Sequence, residues 1–160
     1  MKKSARWFLM TCLFLLTTLE VSACCSYFYR RAKLENRIEG LVERYENNEV
    51  QLIELSSIND VTWDEVYFFG GYSFCDDIAK AVDVPSYEIL CALTGIQHSE
   101  HSTLFVFKHR GWIAGDAIYY GRTYRHKCDP NIYLPHSRET ANLVFDKNGS
   151  FVCATEITSP

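Results

Sequence analysis

Two short segments of the same form, Lys108-His109-Arg110-Gly111 and Asp146-Lys147-Asn148-Gly149, each stand between runs rich in β-branched and aromatic residues. The runs are Thr103 to Phe107 and Trp112 to Tyr120 around the first, and Leu143 to Phe145 and Phe151 to Thr155 around the second. Glycine in the fourth position supplies the positive φ that a type I turn closed by a bulge requires, so each segment predicts an antiparallel hairpin. Two further strands are expected over Gln51 to Ile58 and Val61 to Phe69, the second ending at Gly70-Gly71. No βαβ alternation recurs, which argues against a doubly wound parallel sheet.

Helical spacing is clearest near the start. Leu34, Ile38, Leu41, Val42 and Tyr45 make one apolar stripe, with Lys33, Glu35, Glu39, Glu43 and Arg44 on the opposite face, which predicts a helix over Arg31 to Asn47. Ser73 is placed to cap a short helix from Phe74 to Val82 whose first turn carries Asp76 and Asp77. Pro85 opens another over Ser86 to Leu93, stopped by Gly95. The expected fold is α+β: an antiparallel sheet of about five or six strands with helices packed on one face. With 48% hydrophobic and 14% aromatic residues the chain has ample material for one core and is not a disordered tail.

The first residues have a different logic. Lys2, Lys3 and Arg6 precede an uncharged apolar run from Trp7 to Leu19, which fits a secretory signal of charged head and apolar middle and is too short to span a bilayer. Val21-Ser22-Ala23-Cys24 follows and resembles the lipobox of bacterial lipoproteins. That resemblance implies cleavage before Cys24 and acylation of its thiol. The expected organisation is a signal peptide over 1–23, a lipid-anchored linker over 24–30 and a single globular domain over 31–160. Arg30, Arg31 and Lys33 would then lie beside headgroups or make an ordinary solvated helix start. Glu20, just before the box, leaves an uncleaved single-span anchor as the alternative. Loss of 1–23 removes Lys2, Lys3, Arg6 and Glu20, so the formal net charge goes from −4 to −6 and nucleic acid is not an expected partner.

Of seven cysteines, Cys12 leaves with the signal, Cys24 carries the lipid and Cys25 is the odd thiol beside it. Cys75, Cys91, Cys128 and Cys153 are the disulfide candidates in an export compartment, with three connectivities open. None forms a C-x-x-C pair, so neither a zinc ribbon nor a thioredoxin-like site is indicated.

The stretch Thr62-Trp63-Asp64-Glu65-Val66-Tyr67-Phe68-Phe69-Gly70-Gly71-Tyr72-Ser73 resembles a signature of small, largely uncharacterised bacterial secreted and lipid-anchored proteins. There a W-D-x-V-Y strand runs into a G-P-Y-[TS] turn and a short helix, with a strand like Leu104-Phe105-Val106-Phe107 downstream. Gly71 stands here in place of the usual proline. The resemblance implies a fold and an address and carries over no catalytic residues.

Chemistry-bearing motifs are sparse. No G-x-S-x-G, P-loop or H-E-x-x-H pattern occurs. His98-Ser99-Glu100-His101 offers two histidines that would need His136 or Asp116 as a further metal ligand, and a polar loop explains them as well. Cys75 has no local histidine, and Asp64 and Glu65 point to opposite faces of a strand. No catalytic residue, metal or cofactor is therefore expected. One region does depart from the chain average: Lys108 to Arg138 holds six Lys/Arg against two Asp in an acidic chain. Arg110, Tyr119, Tyr120, Arg122, Tyr124, Arg125 and Lys127 are the candidate partner-binding residues, for an anionic envelope component or a protein. The expected function is that of a lipid-anchored cell-envelope binding module lying outside the cytoplasm and joined to the membrane through its lipid; a hydrolase acting on envelope polymers is the rival.

Overall fold

The computed structural model describes residues 25–124, 133–146 and 148–154. The fold is α+β, with two antiparallel sheets and three α-helices. Helix α1 covers 25–46. Then come β1 (Ile53–Glu54), a 3-10 turn, β2 (Glu65–Gly70), α2 (Cys75–Ala81) and α3 (Tyr87–Ala92). A second 3-10 turn leads to β3 (Ser102–His109), β4 (Trp112–Tyr120), β5 (His136–Ser137), β6 (Asn142–Phe145) and β7 (Phe151–Cys153). The larger sheet has the order β4-β3-β2-β5 and the smaller β1-β6-β7.

Strand alternation builds a core on each face of the larger sheet. Val66, Phe68, Phe105, Phe107 and Ala117 point to the side covered by α1 and the small sheet, where they meet Leu34, Ile38, Leu41 and Val42. Tyr67, Phe69, Leu104, Val106 and Ile118 point the other way, onto Ile78 and Ala79 of α2 and Tyr87 and Cys91 of α3. The sheet therefore carries helices on both faces instead of one, because β2 and β3 are apolar at nearly every position rather than at alternate ones. Each buried aliphatic of the α1 stripe is worth about 1.5–3 kcal/mol relative to exposure.

Both hairpins form, by different turns. Arg110 and Gly111 have φ of 50° and 83° and alone connect β3 to β4, a two-residue turn with both residues left-handed. The irregularity that was expected in the turn sits instead in the register between Phe107 and Lys108. Between β6 and β7, Gly149 does take φ 76°, and the Asp146 carboxylate accepts from the backbone N–H of Asn148 and Ser150, both at 2.8 Å. The strand expected over Gln51 to Ile58 shrinks to two residues, because Leu55–Ser57 turns into a 3-10 helix. Ser73 does not cap α2: its hydroxyl donates to Gly70 O at 2.7 Å, and Phe74 holds the cap position. Between β4 and β6, His136–Ser137 pairs with β2 and Tyr124 bridges Phe151.

Cys75 and Cys91 form a disulfide that ties the start of α2 to α3 across 16 residues. Cys153 is buried with its sulfur 3.4 Å from His136 Nδ1, and Cys128 lies outside the described residues. A loop of this length is worth about 3 kcal/mol through the restricted unfolded chain. The double variant Cys75→Ser with Cys91→Ser should lose about that much stability in urea unfolding, without a change of fold by circular dichroism.

Candidate functional site

The start of α1 is held by polar groups rather than apolar ones. Tyr27, Arg31 and Glu35 fall one turn apart on a single helical stripe, and that stripe faces the edge strand β4. Tyr27 Oη donates to both oxygens of Asp116 at 2.8 Å, and Tyr87 Oη, from α3, donates to Oδ2 at 2.6 Å. Asp116 is 1% exposed. Arg31 is also buried and bonds Glu35 at 2.9 Å, and Glu35 Oε1 accepts the Ile118 backbone N–H at 3.2 Å. Residues 25–30, expected as a linker, are therefore helical and docked. Arg31, expected to be solvated or beside headgroups, is turned inward, while Lys33 pairs with Asp60 at 2.7 Å.

Burial pushes the Asp116 carboxyl above the usual range, with Glu35 adding to the rise, while the two tyrosine hydroxyls and Arg31 pull it back. Burial and the neighbouring Asp116 raise both Tyr27 and Tyr87. Asp116 is thus enclosed between two hydroxyl donors from two helices. Its geometry suits clamping α1 and α3 to the sheet edge.

An open cleft of about 600 Å³ lies nearby, between α1 and the β3–β4 turn. Arg30, Asp60, Thr62, His109, Arg110 and Trp112 line it, and Trp112 is 76% exposed. Asp64 Oδ2 accepts the Arg110 backbone N–H at 3.1 Å and lies 3.5 Å from His109 Nδ1, so the carboxylate braces the turn.

The residues expected as one binding patch are dispersed. Arg110 and Tyr120 lie near opposite ends of β4, roughly 26 Å apart at strand rise. Tyr119 packs on Phe151 at 5.4 Å, and Tyr124 is buried against Phe68 at 4.9 Å. Arg122 bonds Glu46 and Gly149 O and stacks over Phe145 at 3.9 Å. Lys108 is buried with Nζ 2.5 Å from Val82 O at the end of α2, and Arg138 bonds the Ser56 and Ile58 carbonyls while lying over Trp63. Those cations serve the fold. Arg125 and Lys127 lie outside the described residues, as does Cys24. His98 and His101 are exposed whereas Asp116 is enclosed, and no group of three metal-ligating side chains occurs among the described residues.

Sequence reasoning missed the Asp116 clamp. The available signal was the spacing Tyr27, Arg31, Glu35, a polar stripe continuing the apolar one toward the start of α1. No protein-family model matches the chain, and no curated protein or solved structure matches it either.

Proposed function

We propose that this is a lipid-anchored cell-envelope protein, acylated at Cys24, that acts as a non-catalytic binding module. The observation that carries the reading is the continuity between the box and the domain. In sequence Cys24 adjoins Cys25, the first described residue of α1, and three residues beyond Cys24 Tyr27 is bonded to buried Asp116. A lipid at Cys24 would sit on a rigid, docked helix and hold the domain against the bilayer, in place of a flexible tether that lets it roam. The enclosed Asp116 favours a structural use of the domain's buried acid over a catalytic one. No helix among the described residues is long and apolar enough to cross a membrane.

Metabolic labelling with a fatty acid tests it. The parent chain should take up label and fractionate with membranes, and Cys24→Ser should lose the label and keep a longer, unprocessed chain. Equal labelling of both would refute the assignment of Cys24.

A further inference from the structure

The anchored end of the domain has a surface of its own. Arg30 lies five residues along α1 from Cys25, a rise of about 7.5 Å, and it lines the same cleft as Trp112 and Arg110 of the β3–β4 turn. Fold topology thus brings a hairpin tip from the middle of the chain to the place where the apolar leader ends. Its exposed groups are an unusual set. Trp112 and Tyr29 are 76% and 74% exposed, and Phe28 is 49% exposed. The acids here are already engaged: Asp60 with Lys33, and Asp64 with the turn backbone beside His109. Neither Arg30 nor Arg110 has an acidic partner among the described residues. Two unpaired guanidinium groups around a protruding indole, in a chain of net charge −4, complement a layer of phosphate headgroups. Tryptophan and tyrosine favour the depth where acyl chains meet headgroups.

Building on the lipid-anchor reading above, we propose that the Trp112, Arg110 and Arg30 face is a second membrane contact. The indole inserts at the interface of an anionic phospholipid surface and the two arginines bind its phosphates. One acyl anchor fixes a point; this contact fixes the orientation.

The three tryptophans make the test direct: Trp63 is 2% exposed, and Trp7 belongs to the leader. The acylated protein, expressed from a Trp7→Phe gene so that any unprocessed chain adds no leader indole and purified from envelopes, is reconstituted into vesicles of phosphatidylcholine with or without phosphatidylglycerol. Brominated acyl chains then report indole depth. Emission should be quenched by at least about twofold more with phosphatidylglycerol than without, with Trp112→Phe abolishing the quenching. The pair Arg30→Glu and Arg110→Glu should return it to the phosphatidylcholine level while the protein still sediments with vesicles. High salt should act in the same direction, since such attraction is screened over about 8 Å at physiological ionic strength.

Sedimentation without quenching overturns the second contact and leaves the anchor standing. Quenching unaltered by the double charge reversal overturns the headgroup assignment. An indole shielded from both bromolipid and aqueous iodide marks another protein, or a second copy, on this face and overturns the contact as well. Failure to sediment, together with absence of fatty-acid label, overturns both readings.

Discussion

Asp116→Ala should cost about 3 kcal/mol, a large share of the roughly 5–15 kcal/mol that holds a domain together. The substitution removes acceptors from Tyr27 and Tyr87 and takes a countercharge from the neighbourhood of Arg31. Tyr87 is fully buried, so its hydroxyl cannot turn to water, and an unsatisfied buried donor costs about 1–3 kcal/mol by itself. Disruption of a buried charged cluster accounts for the remainder. Asp116→Asn keeps an acceptor and should cost much less. The two variants also separate in pH dependence. A carboxyl raised by folding binds its proton more tightly in the native state, so its contribution is full below the unfolded value of about 3.9 and declines as pH rises through the native one. Urea midpoints should show that decline in the parent and a flatter profile in Asp116→Asn. An alanine variant as stable as the parent would mean that the clamp contributes nothing.

Gly71→Ala should be nearly as damaging for a wholly different reason. A β-carbon there would lie 1.9 Å from Ser99 O and 2.7 Å from Glu100 O, both backbone atoms that cannot swing aside. The cost of such overpacking is about 1–3 kcal/mol, and here the upper end is expected because the chain at residues 99–100 must move as a unit. Proline would be worse, since the Gly71 N–H donates to Thr123 Oγ1 at 3.2 Å. That is a physical reason for the glycine in the place where the resembling signature carries proline. Gly95→Ala, with nothing within 4 Å, should show only the smaller strain of its φ of 72°. Thermal unfolding of the two variants compares crowding with backbone strain.

Much of this fold was legible. Runs rich in β-branched and aromatic residues, bounded by turn signals, gave β2, β3 and β4, and the stripe of Leu34, Ile38, Leu41 and Val42 gave the middle of α1. What local patterns could not convey was where elements stop when their ends are held by distant partners. The first turns of α1 are fixed by Asp116, which is 89 residues from Tyr27. The two-strand pairing of His136–Ser137 depends on β2 and not on any local run. The candidate site was legible only in part. Counting cations from Lys108 to Arg138 found a real excess, but charge counts ignore direction. Arg122 and Arg138 face carbonyls, carboxylates and rings of their own domain, while Arg110 and Arg30, the latter expected from the start of the helix and not from the cation count, face outward together.

The bond from Glu35 to the Ile118 N–H has a consequence for life on a crowded surface. The larger sheet ends at β4 on one side and at the two-residue β5 on the other. An unguarded strand of nine residues would be a template onto which a neighbouring molecule could extend the sheet. With Glu35 occupying a backbone donor and Tyr27 wrapped around to Asp116, α1 stands along that border like a hem. Copies concentrated side by side would meet the ladder already engaged at Ile118 and a polar helix beside it, which disfavours strand-by-strand polymerisation at high local density.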